Sequence, residues 1–238
     1  MADLCIKIKE TLHSRGASLV GFADLFGIPE EVRHSLRFAV SIGVALDASI
    51  IAAISDGPTP EYRAEYRRAN ALLSNLGKLA RDMIEAQGHR AIAKEPTHVG
   101  IDLKTHSTIL PHKTVATKAG LGWIGKCALL VTEEYGSALR ITTVLTDAEV
   151  NSAEPVTFSL CGDCMICVES CPGKAPSGKN WNPDLHRDSF YDAFACAKAA
   201  RERALARIGI DDTICGICIS VCPWTTKYIT RRRKRNES

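Results

Sequence analysis

The run Cys161-Gly-Asp-Cys164-Met-Ile-Cys167-Val-Glu-Ser-Cys171-Pro172 reads C-x2-C-x2-C-x3-C-P, and Cys215-Gly-Ile-Cys218-Ile-Ser-Val-Cys222-Pro223 answers it downstream. No hydrophobic pattern in the chain constrains its folding as tightly. Three thiols in one turn can reach three corners of an iron–sulfur cubane, and the fourth ligand must arrive from elsewhere, in two-cluster chains from the other block. Crossed fourth ligands assign Cys161, Cys164, Cys167 and Cys222 to one cluster. The other takes Cys171, Cys215 and Cys218, and its missing ligand must come from upstream, where Cys196 is the candidate. Cys196 lies within a helical pattern over residues 190–208, in which a buried structural cysteine is an ordinary finding. Pairs spaced C-x2-C also serve zinc, but zinc requires neither three cysteines in seven residues nor a proline after the last. Cys5 and Cys127 stand apart from both blocks and are expected to be free thiols.

A chain of 238 residues holds one large domain, or a domain with a smaller appendage. Charges at Asp3, Lys7, Lys9 and Glu10 fall where a signal peptide would be apolar, and no run of about 18 apolar residues occurs. The expectation is a cytoplasmic protein with no membrane partner, in which ten cysteines bind metal instead of pairing. The net charge is +3, yet Arg231-Arg-Arg-Lys-Arg235 alone carries five positive charges. Such a run is ordinarily a solvated, disordered tail; its functional reading is an arm for RNA.

Upstream of the cysteines, apolar residues at Leu4, Ile8 and Leu12 predict a helix over 4–15, and residues 17–24 and 38–46 read as buried strands. A short helix opened by Pro29 is expected between them. Residues 61–87 carry a long amphipathic pattern through Tyr62, Ala69, Leu73, Leu76 and Ile84 that Gly88 ends. A strand over 90–94 and a helix over 109–118 follow. Residues 128–132 and 139–146 are expected to pair as a hairpin across Glu133-Glu-Tyr-Gly-Ser137. The linker Asn151-Ser-Ala-Glu-Pro155 divides the chain into 1–154, 155–228 and a basic tail, 229–238.

Gly120-Leu-Gly-Trp-Ile-Gly-Lys126 matches both the dinucleotide and the phosphate-loop patterns. Both require a strand before and a helix after, so that phosphate rests on a helix N-terminus. Here a helix precedes and strand-forming residues follow, and Cys127 stands where a phosphate loop needs Ser or Thr. The glycines either turn the chain or allow close backbone approach.

Taken together, residues 119–126, Leu129-Leu130, Glu134-Tyr-Gly-Ser137, Leu145-Thr-Asp147 and the two cysteine blocks ending Cys222-Pro-Trp224 resemble epoxyqueuosine reductases, a family related to reductive dehalogenases. The resemblance spans about residues 17–224. It implies an α/β, nitroreductase-like cobalamin-reductase domain joined to a ferredoxin-like module with two [4Fe–4S] clusters. It further implies cobalamin, with flavin the lesser alternative, lined by Gly120, Leu121, Gly122, Trp123, Gly125, Lys126, Tyr135, Gly136 and Ser137. Electrons would come from a low-potential donor of ferredoxin or flavodoxin type. In that family an Asp before the glycine loop acts as proton donor; counting back from Ala119 puts His106 in its place and His112 in that of a following Glu. His106, whose unperturbed pKa is near 6.5, and His112 thus become catalytic candidates, with Asp102 as a fallback. Full-length members use a C-terminal helical-repeat region towards tRNA, which this sequence lacks. The expectation is an iron–sulfur reductase of unidentified substrate; the alternatives are an electron carrier without an organic cofactor and a true tRNA epoxyqueuosine reductase.

Overall fold

A computed structural model describes residues 2–97 and 102–236. Its packing divides into two compact units, one of residues 1–45, 68–122 and 140–156, the other of residues 46–67, 123–139 and 157–238. Both are mixed α/β.

The first unit is built on a four-stranded sheet of order β1 (Leu19–Asp24), β2 (Phe38–Ala45), β6 (Leu139–Thr146) and β3 (Ala91–Ala93). β1 and β2 run antiparallel with Val20 opposite Ile42, and β3 and β6 antiparallel with Ile92 opposite Leu145. Continuous apolar runs rather than alternation give β1 and β2 their buried faces. α1 (Ala2–Ser14) buries Cys5, Ile8 and Leu12, so Cys5 takes the place on the stripe expected of Leu4. α3 (Pro60–Glu85) buries Ala69, Leu73, Leu76, Ala80 and Ile84 at the three- and four-residue spacing that puts side chains on one helix face. α4 (His112–Lys118) packs Val115 with Ala23, Leu25, Leu36, Ala39 and Leu145 in one apolar cluster. The helix expected after Pro29 is absent: residues 30–35 form turns, ending with His34 and Ser35 at left-handed φ of 55° and 56°, which no helix accommodates.

The second unit holds both cysteine blocks. Its strands, β4 (Trp123–Ile124) and β5 (Leu130–Val131), pair antiparallel, Trp123 opposite Val131. The hairpin expected between β5 and β6 is therefore corrected, since β5 pairs backwards with β4. The reason is local: Gly125 N–H donates to Leu129 O, Ala128 N–H donates to Gly125 O, and Ala128 adopts φ 59°, which closes a tight turn over residues 125–129. Short helices α5 (Ile166–Glu169) and α7 (Ile217–Ser220) sit inside the two cysteine blocks, beside α2 (Ala48–Ala52) and the longer α6 (Ala193–Ile208).

α8 (Pro223–Asn236) starts at the proline that follows Cys222, a residue suited to the first helical position because its missing N–H has no intrahelical role there. It buries Thr225, Tyr228 and Ile229. The basic residues 231–235 form its last turns and are exposed, so the disordered tail is also corrected. Arg231 donates to the Glu133 and Glu134 carbonyls, and Arg232 lies over the Tyr228 ring, which anchors these turns. Among the described residues no helix is long and apolar enough to cross a membrane.

Candidate functional site

Cys161, Cys164, Cys167 and Cys222 line one cavity of about 90 Å³, together with Gly125, Lys126, Cys127, Val131, Pro223 and Trp224. Ligand pockets for organic molecules span roughly 300–1,000 Å³, so this cavity suits a compact inorganic group and not a macrocycle. Among the described residues no three Cys, His, Asp or Glu side chains gather tightly enough to hold a single metal ion. The thiols surround a cavity and do not converge on a point.

Each thiol is delivered by local geometry. Within the first block Cys164 N–H donates to Cys161 O, which folds the first three cysteines into one turn ahead of α5. Cys222 ends the second block at the N-terminus of α8, where its sulfur accepts the N–H groups of Trp224 and Thr225. Those bonds, with the positive end of a helix dipole, favour a thiolate. Burial opposes them and is the largest influence, raising the Cys222 pKa in the absence of a metal. A bound cation reverses that balance, because a coordinating thiol is deprotonated outright.

The remaining cysteines form a second group. Cys196, on α6, interacts electrostatically with Cys171 and Cys215 and accepts a hydrogen bond from Tyr191. Cys171 Sγ accepts Ala175 N–H at 3.4 Å, and Cys215 accepts from Ile217 N–H. Cys218 neighbours both Tyr191 and Cys127. The upstream helical cysteine thus sits with the set that lacked a member.

The glycine stretch feeds this arrangement from the side. The turn over residues 125–129 is the tip of the β4–β5 hairpin and carries Lys126 and Cys127 against the first cavity. A Cβ on Gly125 would lie 2.8 Å from Val131 Cγ2 and 3.6 Å from Cys161 Sγ, so only glycine lets the tip come so close. Lys126 is 3 % exposed and its ammonium donates to Met165 Sδ at 3.5 Å. Among the described residues Lys126 has no carboxylate partner, a role that an anionic group in the cavity would fill. Trp123 packs edge-on against Trp224 at 5.1 Å, and its buried indole N–H has no hydrogen-bond partner among the described residues.

Tyr135, Gly136 and Ser137 are buried against α8. Tyr135 meets the Tyr228 ring at 5.3 Å, Ser137 N–H donates to Thr225 Oγ1, and a Cβ on Gly136, at φ 58°, would overlap Thr225 backbone. Burial, with Glu134 beside it, pushes the Tyr135 hydroxyl up to about 12. Gly120, in the first unit, would meet Ala153 and Glu154 at 3.0 Å with any added Cβ. Leu121 packs beside the core cluster that contains Ala119. α4 before the stretch and the β4–β5 hairpin after it leave no helix N-terminus for a nucleotide phosphate.

Asp102, His106 and His112 belong to the first unit. Asp102 and Ser107 bridge a tight loop, and the Asp102 carboxylate accepts Lys104 N–H at 2.8 Å and the Thr105 hydroxyl at 3.1 Å. His106, in that loop, is half-buried at φ 49°. His112 pairs Nδ1 with Thr143 Oγ1 at 2.9 Å and Nε2 with Glu95 O at 3.0 Å. A carbonyl only accepts, so Nε2 carries the proton and Nδ1 accepts from the threonine. Burial lowers the His112 pKa, so the ring stays neutral at neutral pH. Cys127, Trp224, Met165 and Tyr191 belong to the cysteine surroundings and were not marked as site residues by the sequence; adjacency of Cys127 to Lys126 and of Trp224 to Cys222-Pro223 was the available signal.

Residues 160–225 match the family described as a 4Fe-4S double cluster binding domain. An epoxyqueuosine reductase of Lactococcus garvieae is 34% identical over 227 residues, covering 92% of this chain and 60% of the relative. One from a Synechococcus species is 37% identical over 124 residues, covering 52% of this chain and 38% of its own. In fold the chain is similar to an epoxyqueuosine reductase solved with an epoxyqueuosine-modified tRNA-Tyr stem loop, at TM-score 0.64, 18% identity, 94% of this chain and 66% of that one. It is also similar to a reductive dehalogenase whose structure concerns B12-dependent dehalogenation, at TM-score 0.72, 18% identity, 95% of this chain and 33% of that one. The chain therefore spans between 38% and 60% of the length of these two curated relatives.

Replacing His112 by Ala should destabilise the protein by about 1–3 kcal/mol, because Thr143 and the Glu95 carbonyl lose their partner. Its folded pKa is depressed, so the stabilisation is full above the unfolded value near 6.5 and is lost as pH falls below it. Thermal unfolding should show the gap between wild type and His112→Ala narrowing as pH falls from neutrality below the unfolded value near 6.5. An unchanged gap would mean the ring is not buried neutral.

Proposed function

Because the chain belongs to the epoxyqueuosine reductase-like family, we propose that it is an iron–sulfur reductase whose two cysteine sets hold [4Fe–4S] clusters and pass electrons onward to a substrate. Cys161, Cys164, Cys167 and Cys222 ligate one cluster, and Cys171, Cys196, Cys215 and Cys218 the other. The observation that carries this reading is the cavity in which three cysteines of the first block meet the last cysteine of the second, with a buried Lys126 beside them. A cluster bound by four thiolates is anionic and gains charge on reduction. Lys126 and the N–H groups at the start of α8 stabilise that charge.

The acceptor is proposed to be a corrinoid, on the likeness in fold to a structure concerned with B12-dependent chemistry. When bound, such a group supplies a low-valent cobalt nucleophile. Gly120 and Gly125 have protein atoms where a side chain would be, so only their backbone could face such a group. What the chain offers an added group is the buried Trp123 N–H, which no acceptor among the described residues satisfies. Equilibrium titration of the iron-loaded protein with cob(II)alamin, flavin mononucleotide and ATP discriminates the cofactors; tight binding of ATP alone would sink the corrinoid reading.

A second reading, reduction of a base in RNA, is favoured by the exposed basic turns of α8 and by the relatives' names. Fluorescence anisotropy with a tRNA stem loop should then show binding that weakens with salt, and weakens less steeply after Arg233→Gln and Arg235→Gln. Salt-insensitive binding, or none, would remove α8 from that role.

Anaerobic reconstitution should load about eight irons per chain. Cys164→Ala should remove about four and perturb the spectrum of the remaining cluster, because the ligand sets interlock. Stoichiometric zinc without iron in anaerobic preparations would contradict the assignment.

A further inference from the structure

Arg63 and Arg67 stand one helical turn apart on α3 and, with Pro60, Ala64, Ile208 and Ile210, line a groove of about 340 Å³. Arg203 and Arg207 extend from α6 to the segment just before it. A Cβ on Gly57 would lie 2.8 Å from Arg207 Cδ and 3.8 Å from Arg203 Cδ, and Arg207 Nε donates to Pro58 O at 3.4 Å. All four arginines belong to the second unit. The nearby acids do not balance them: Asp212 lies 3.8 Å from Arg63 Nε, Asp211 pairs with Arg201 at 2.7 Å, and the Glu61 carboxylate is engaged by Thr59. Among the described residues Arg67, Arg203 and Arg207 have no carboxylate within ion-pair distance, and the buried Arg63 Nε has no hydrogen-bond partner. Like charges four residues apart on a helix repel, so Arg63 and Arg67 destabilise α3 slightly unless an anion lies over them.

The groove borders the second cysteine set. A Cβ on Gly216, next to Cys215, would lie 2.5 Å from Ile54 Cδ1 and 2.9 Å from Tyr62 Cε1, so the first turn of α3 packs directly on the second block. Arg203 and Arg207 follow Cys196 by seven and eleven residues on α6, spacings that return to one helix face. The helical rise puts Arg203 about 10 Å along the axis from that cysteine. Cys171, Cys196, Cys215 and Cys218 are all partly exposed, whereas the first set includes the buried Cys222.

We propose that this arginine-lined groove is the docking surface for a small acidic redox protein, which passes one electron at a time to the cluster held by Cys171, Cys196, Cys215 and Cys218. The proposal rests on the reading that the cysteine sets hold clusters, and it locates the entry of their electrons. In each encounter the partner's reduced centre loses one electron and the oxidised cluster gains it, with no bond made or broken. An apolar floor of Pro60, Ala64, Ile208 and Ile210 beside guanidinium groups has the make-up of a protein contact, apolar at its centre and rich in arginine. A nucleic-acid backbone calls for charge alone. Electron-transfer encounters bury little area and use opposite charge to bring the partners together.

The test is anaerobic stopped-flow reduction of the iron-loaded full chain by a reduced acidic [2Fe–2S] ferredoxin at several salt concentrations, with iron content and cluster midpoints measured on the same samples. The wild-type second-order rate constant should fall as salt rises. Arg67→Glu with Arg203→Glu should lower the low-salt constant by about tenfold or more and flatten its salt dependence, at unchanged iron content and midpoints. The neutral pair Arg67→Gln with Arg203→Gln should show a smaller loss, and it answers the same question if charge reversal prevents folding. Lys7→Glu with Lys9→Glu, an equal change of charge at exposed positions on α1, should have a far smaller effect. A salt-insensitive wild-type rate, an unchanged rate in the Arg67 and Arg203 pair, or an equal loss in the α1 pair would overturn the proposal. A slower rate matched by a displaced midpoint of the second cluster would also overturn it, by making the arginines tune the cluster. Loss of tRNA stem-loop binding in the arginine pair, with ferredoxin reduction unaffected, would assign the groove to RNA instead. Iron-loaded protein that dithionite reduces and ferredoxin does not would overturn the docking surface alone, whereas wild-type protein that loads no iron would overturn the cluster reading itself.

Discussion

Negative charge buried among sulfur atoms is the constraint on which the cysteine-bearing unit depends. Thiolates from residues 161–167 and from Cys222 must share one cavity, and an iron–sulfur group among them would add negative charge there. The chain answers with donors fixed by secondary structure. Cys222 occupies the start of α8, so two backbone N–H groups point at its sulfur. Lys126 arrives on the β4–β5 tip with a thioether as its partner, an arrangement that an anion in the cavity would complement. Hydrogen bonds and charge of this kind set where a cluster's potential falls in a range of about −700 to +450 mV.

This places the glycine stretch in a different light from the one its pattern suggests. G-x-G-x-x-G-K is the signature of a phosphate site when a strand precedes it and a helix follows. In this chain α4 precedes it and a two-residue strand pair follows, and the stretch becomes a hairpin whose tip reaches sulfur. The same residues in another context therefore have another chemistry. Gly125 is required because Val131 and Cys161 stand where its side chain would be, in the lining of the first cavity. Gly136 serves packing too, where the turn before β6 meets Thr225 at the first turn of α8.

The cysteine sets, the strands β1, β2 and β6 and the long α3 were legible in the sequence because each follows from spacing or periodicity within one segment. The grouping of Cys196 with Cys171 and Cys215 was legible by arithmetic, since one set lacked a member. What escaped was set by tertiary partners. β4 is two residues long and carries no periodicity, so pairing of β5 with β4 could not be read from residues 128–146, which look like a hairpin of their own. Residues 231–235 look like a solvated tail because nothing in their composition favours order. Burial of Tyr228 and Ile229 one turn earlier, and the bonds from Arg231 to two carbonyls, carry the helix through them. His112 seemed a catalytic donor by counting from the glycines, yet both its nitrogens are engaged in holding α4 to β6 and to the strand end near residue 95.

The account's central claim is that two cysteine sets and one hairpin tip form the seat of two iron–sulfur clusters. Its most direct test is an anomalous difference map at the iron edge from anaerobically grown crystals of the reconstituted chain. The map should contain two tetra-iron peaks, one within bonding distance of Cys161, Cys164, Cys167 and Cys222 with the Lys126 ammonium beside it. The other should be bounded by Cys171, Cys196, Cys215 and Cys218, with Cys127 bonded to neither. Single-ion peaks at the zinc edge, or an iron bonded to Cys127 in place of Cys196, would contradict it.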